Sequence, residues 1–140
     1  MSDFRVLFVD DEADFLETIL KRMQKRRVAA FGVRSGEEAL AWLQQQAADV
    51  VVLDVRMHGM DGIQTLRAVK SAHPLLEVIM LTGHASLEIA REGMQLGAFD
   101  YLMKPIDLDE LLYKLEDAYK KKTLQQHKIK TIEGVIESRK

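Results

Sequence analysis

Val50-Val51-Val52-Leu53-Asp54 is a short, unbroken apolar run closed by a carboxylate. Its length and β-branched content suit a strand. The missing polar alternation suits a strand covered on both faces, as in a parallel sheet flanked by helices. Runs of the same kind stand at residues 6–9, 28–33, 78–81 and 99–102, each followed by a stretch with helical spacing. They predict five β/α repeats, hence an open α/β chain: a five-stranded parallel sheet with five flanking helices.

The intervening stretches carry helix signals. Ser35 can cap a helix while Glu38, three residues on, reaches back, and Asp107 and Glu110 repeat that spacing. Phe15, Leu16, Ile19, Leu20 and Met23 recur at helical spacing, with Lys21, Arg22, Lys25 and Arg26 largely opposite, so that stripe reads as core. Ala39, Leu40 and Leu43 place Trp42 on the second helix, away from the strand ends.

A chain of 140 residues with 47% hydrophobic content fits one core. A net charge of -2 with 30% charged residues lacks the basic excess that would announce direct nucleic-acid binding. There is no cysteine, which excludes disulfides, zinc thiolates and thiol catalysis. The N-terminus lacks the basic start and apolar stretch of a signal peptide, and no run has the length to span a bilayer, so a cytoplasmic setting without membrane contact is expected.

The last helix is expected to begin near Leu108 and could run well past Lys122, since the first glycine after it is Gly134. Leu108, Leu115, Lys122, Ile129 and Ile136 are spaced by seven, as are Leu111, Ala118, Gln125 and Ile132: a heptad seam interrupted by Lys122 and Gln125. The chain therefore divides into a domain over residues 1–122 and a helical extension or linker over 123–140, with dimerisation through that helix as one reading and a frayed tail as the other. Residues 120–122, all lysine, read as a solvated helix end.

In a parallel α/β sheet, ligands gather beyond the carboxyl ends of the strands. There the sequence places Asp10, Asp11 and Glu12 after the first run, Asp54 at the end of the third, Thr82 at the end of the fourth, and Tyr101 leading to Lys104-Pro105 at the fifth. Asp10, Asp11 and Asp54 would repel one another, and a hard divalent cation relieves that repulsion. Oxygen-only ligands favour Mg2+, with Mn2+ or Ca2+ as substitutes, and Mg2+ is commonly completed by a phosphate oxygen. A carboxylate so placed can act as a nucleophile toward phosphorus, with Asp54 the candidate and Lys104, the Thr82 hydroxyl and the metal meeting the phosphoryl oxygens.

These residues come in an order that resembles the receiver domains of two-component response regulators over roughly residues 3–122: VLFVDDE, VVLDVRMHGMDG, MLTGHA and GAFDYLMKPIDLDEL. Each motif alone is weak; their order and spacing together are specific. The resemblance implies a doubly wound, flavodoxin-like sheet and a signalling switch rather than an enzyme. It implies that Asp54 accepts a phosphoryl group from a sensor histidine kinase or phosphotransfer protein, and that Asp10, Asp11 and Asp54 hold Mg2+ with the backbone carbonyl of Arg56. It implies that Thr82 and Tyr101 switch the face of the fourth helix, fifth strand and fifth helix toward an output domain, a partner or a homodimer, and that Lys104-Pro105 is cis. His58 departs from the proline of many relatives, and Arg56 and His84 stand where the family tunes phosphate lifetime.

Taken singly, each residue has a plainer reading. Asp10 and Asp11 suit the start of a helix near Ala13, Asp54 a turn, Thr82 a strand-end hydroxyl, Lys104 a solvated loop and Tyr101 simple core. Their agreement at four strand ends favours the joint reading. Two rivals stand beside it: a phosphate-independent dimerising module of the same fold, and a Mg2+-dependent phosphatase or mutase, which short loops leave little room to cap.

Overall fold

All five apolar runs are strands of one parallel sheet. The computed structural model describes residues 4–57, 61–83 and 87–138. In chain order the elements are β1 (Arg5–Val9), α1 (Ala13–Lys25), β2 (Ala29–Val33), α2 (Gly36–Gln45), β3 (Val50–Asp54), α3 (Gly62–Ala72), β4 (Glu77–Thr82), α4 (Leu87–Gln95), β5 (Asp100–Met103) and α5 (Leu108–Ser138). The strand order is β2-β1-β3-β4-β5. The chain thus turns back between β1 and β3, and the crevice beyond their carboxyl ends lies at the switch point of the sheet.

Alternation along the strands feeds two cores. Leu7, Val9, Val51, Leu53 and Met80 face the layer of Leu66 and Val69 from α3 and Ala90 from α4. Phe8, Val52 and Leu81 face Leu16 and Ile19 of α1 and Leu111 and Leu115 of α5. β3 and β4 are buried throughout, which accounts for their unbroken apolar runs. Trp42 lies on α2 against Phe31, with ring centroids 5.3 Å apart, on the β2 side of the sheet.

The helix starts follow the local rules with adjustments. Ser35 Oγ accepts the Glu38 N–H at 3.1 Å, and Asp107 accepts the Glu110 N–H at 3.1 Å. Glu38 reaches back to the N–H of Arg34, one residue before the cap. A reciprocal capping box between Asp61 and Gln64 opens α3, although the sequence reading did not single it out. There Gly62 is required: a Cβ on it would lie 2.4 Å from the Cα of Val55.

α5 runs for 31 residues, and the reading of residues 120–122 as a helix end is corrected. Lys122 Nζ is 2.6 Å from Asp49 Oδ1, and Lys121 Nζ is 3.3 Å from the buried Glu77 Oε2. These carboxylates stand at the amino ends of β3 and β4, so the lysines continue the helix across the bottom of the sheet. Among the described residues no helix is long and apolar enough to cross a membrane.

Candidate functional site

β1 and β3 are hydrogen-bonded neighbours, with Val9 opposite Leu53, so the residues after them emerge side by side. Asp10 and Asp54 emerge there, 1% and 6% exposed. Asp54 is opposite Leu81 of β4, which sets Thr82 one residue further along the adjoining strand. The N–H of Lys104 donates to the carbonyl of Thr82 at 2.8 Å, tying the end of β5 to the end of β4. The sheet register thus gathers Asp10, Asp54, Thr82 and Lys104 at one edge, and the Lys104-Pro105 peptide is cis.

The ammonium of Lys104 is the centre of charge. It donates to Asp10 Oδ2 at 2.9 Å and stands 3.6 Å from Glu12 Oε1 and 3.7 Å from Asp54 Oδ2. Burial works against its charge, but the Asp10 hydrogen bond and the charges of Asp54, Asp10 and Glu12 outweigh it and raise its pKa.

Asp54 has the opposite problem. Burial first, then the Asp10 charge, pushes its pKa up to about 6, against the lowering effects of the Arg56 N–H and Lys104. That N–H donates to Asp54 Oδ1 at 3.2 Å. The second carboxylate oxygen, facing Lys104 across 3.7 Å, has the freer side.

Asp10, Glu12 and Asp54 bring one oxygen each within 4.8 Å of one another. The set is all hard oxygen and nearly buried at two of three positions. Those properties fit Mg2+. Asp11, expected as a ligand, is not in this close group. It lines a cleft of about 750 Å³ beside it, with Glu12, Arg56, Met57, Asp61 and Ile89 among its other walls. Glu12 takes its place in the group, and no local spacing in the sequence separates it from Asp11.

The capping alternative fares poorly for the carboxylates of β1. The N-cap of α1 is Glu12, and it makes no side-chain cap hydrogen bond. Asp10 Oδ1 accepts the Glu12 N–H at 2.9 Å while its other oxygen holds Lys104. Thr82 is 1% exposed, and its hydroxyl donates to the Gly83 carbonyl at 3.0 Å. Tyr101 is 38% exposed on β5, on the outside of the sheet edge rather than in the core. His58 and His84 lie outside the described residues.

Comparison with known proteins identifies the family of the chain. A family model described as response regulator receiver domain matches residues 6–116. The DNA-binding transcriptional regulator NtrC of Salmonella typhimurium is 38% identical over 113 residues, which cover 81% of this chain and 24% of that protein. The chain thus spans about a quarter of the length of the curated relatives it matches. The receiver domain of NtrX from Brucella abortus superposes with a TM-score of 0.78 at 31% identity, over 82% of this chain and 98% of that one. The crystal structure of adenylate cyclase from Rhodopirellula baltica aligns with a TM-score of 0.88 at 27% identity, over 94% of this chain and 98% of that one.

Proposed function

Because the chain belongs to the response regulator receiver domain family, we propose that it is a phosphorylation switch whose acceptor is Asp54. The observation that carries this reading is the pairing of a nearly buried carboxylate at the end of β3 with the Lys104 ammonium, 3.7 Å from its freer oxygen. In the reaction an Asp54 oxygen forms a bond to phosphorus while the bond from phosphorus to the donor nitrogen breaks. The leaving electron pair returns to that nitrogen, which takes a proton. The donor expected is a phosphohistidine on a sensor kinase or phosphotransfer protein.

Lys104 would meet negative charge on the phosphoryl oxygens, and the Thr82 hydroxyl, which donates to the Gly83 carbonyl, would turn toward them. Asp10, Glu12 and Asp54, with Asp11 and the Arg56 carbonyl at the adjoining cleft, would hold Mg2+. When bound, the ion neutralises carboxylate repulsion and phosphoryl charge. Phosphorylation then replaces the single charge of the Asp54 carboxylate with a group of about 1.5 to 2 negative charges, a net gain of up to about one, and sets new acceptor oxygens beside Thr82. The output would be a changed surface of α4, β5 and α5, with Tyr101 as its movable aromatic, read by a partner or an output domain in the cytoplasm. The domain proper would end near residue 122, and residues 123–140 would form its helical extension.

The test is intact mass after incubation with acetyl phosphate and Mg2+, on wild type and Asp54→Asn. A gain of one phosphoryl group in the wild type alone supports the reading. Equal gain in both, or none in either with Mg2+ bound, rejects it in favour of a phosphate-independent module.

One observation supports a second property, homodimerisation through α5. Ile129, Ile132 and Ile136 are 42%, 59% and 54% exposed on the heptad seam that continues the buried Leu111, Leu115 and Ala118. In a parallel pair at that register, Lys128 of one copy faces Glu133 of the other.

A further inference from the structure

Among the described residues, the Lys104 ammonium meets an aromatic ring as well as carboxylates. It stands 4.5 Å from the centroid of the Phe15 ring, within the range at which an aromatic face attracts a cation. Phe15 lies in the first turns of α1, and the next residues along that face, Leu16 and Ile19, are buried in the core. Phe15 itself is half-buried and packs against that core, so helix packing sets the ring beside the site. It also walls a groove of about 230 Å³ with Ile19, Arg22, Lys104, Pro105 and Ile106.

Among the described residues, the other groups against the Lys104 ammonium are carboxylates that the reaction itself engages. Asp10 and Glu12 belong to the oxygen cluster suited to a cation, and Asp54 is the acceptor. A carboxylate shared in this way cannot hold the ammonium equally firmly before and after phosphoryl transfer. The Phe15 ring can, because its uncharged face is not a ligand for the metal or an acceptor of the phosphoryl group. Its quadrupole attracts the ammonium without forming a directed bond, which leaves Lys104 free to move the short distance between Asp10 and Asp54.

We propose that Phe15 is a positioning residue for phosphoryl transfer, holding the Lys104 ammonium over the gap between Asp10 and Asp54. The inference rests on the reading of Asp54 as acceptor and Lys104 as its cation. Apolar volume alone would not serve: leucine or methionine fills much of the same space but has no aromatic face, whereas tyrosine keeps one.

The test is a double-mutant cycle read by beryllofluoride affinity in the presence of Mg2+, with the rate of phosphoryl gain from acetyl phosphate beside it. Phe15→Leu and Phe15→Met are each expected to weaken both by about three- to tenfold, and Phe15→Tyr to stay within about twofold of wild type. With Lys104→Met as background, the same Phe15 changes are expected to make less than about a twofold difference, since no cation remains to be held. Two ring-free variants guard against one that fails to fold. Wild-type affinity in both ring-free variants, or an equal loss in the Lys104→Met background, overturns the positioning role. A wild type that neither binds beryllofluoride nor gains phosphate overturns the acceptor reading, and this inference with it.

Discussion

Lys104 is hydrogen-bonded to Asp10 and not to Asp54, at 2.9 Å against 3.7 Å. In the absence of metal it therefore serves first as the counter-ion of a carboxylate that is 1% exposed. Lys104→Met keeps the stem and strips that charge from Asp10 and Asp54 together. Breaking a fully buried pair costs about 3–5 kcal/mol. With the Lys104 side chain 25% exposed, a loss of about 1–3 kcal/mol is expected in urea unfolding with chelator present. Mg2+ should recover part of it, and a variant as stable as wild type in chelator would contradict the assignment.

Asp54 links stability to pH in the direction opposite to most surface carboxylates. Its pKa is raised from 3.8 to about 6, mainly by burial and then by Asp10. Between those values the native state holds more of this proton than the unfolded chain, so the contribution of Asp54 to stability falls as pH rises from about 4 through 6. Metal-free Asp54→Asn should therefore be more stable than wild type at pH 7, by on the order of 1–3 kcal/mol, with the gap closing toward pH 4. Denaturant midpoints at the two pH values decide; a gap of the same size at both would reject it.

Gly62 sets how closely α3 approaches the acceptor loop. In Gly62→Ala the new Cβ would meet the Val55 Cα at 2.4 Å and the Val55 carbonyl oxygen at 2.8 Å, and backbone atoms cannot step aside as a side-chain tip can. A loss of about 1–3 kcal/mol is expected. Amide chemical shifts of residues 54–57 should move with it, because Val55 follows the acceptor directly. Unchanged shifts at those amides would mean that the strain is absorbed elsewhere.

Glu77 is 1% exposed and lies between Lys70, at 3.7 Å, and Lys121, at 3.3 Å. Removing its charge in Glu77→Gln leaves Lys70 with its hydrogen bonds to the carbonyls of Pro74 and Leu76, but α5 loses the Lys121 ion pair to the amino edge of the sheet. A loss of about 1–3 kcal/mol is expected. Hydrogen exchange should quicken in α5 around residues 118–125, with phosphoryl acceptance unchanged. Exchange that quickens throughout the sheet instead would show a general loss of packing and not a local untying of the helix.

Ile132 is 59% exposed at the middle of the seam. If α5 pairs with a second copy, Ile132→Lys places two charges in an apolar layer and should shift a dimer to monomer in light scattering, with helical content falling as the unpaired end frays. A wild type that is monomeric at high concentration ends the dimer reading and leaves the switch intact.

The five strands were legible because each signal is local: a run of four to six apolar residues has a length and a lack of alternation that need no knowledge of the rest of the chain. The caps at Ser35 and Asp107 were legible for the same reason, three residues being the span of a helical turn. Asp54, Asp10, Thr82 and Lys104 could be placed at strand ends from that pattern, since parallel strands share one carboxyl edge. Tertiary structure alone decided which of them touch. Tertiary packing put Glu12 rather than Asp11 in the close oxygen group, gave Lys104 to Asp10 first, and laid the Phe15 ring beside its ammonium. It also turned lysines that read as a solvated helix end into partners of Asp49 and Glu77, 73 and 44 positions away. Periodicity records which face a side chain takes along its own element. Angstrom-scale distances between elements depend on how strands align and helices pack, and no local spacing encodes those.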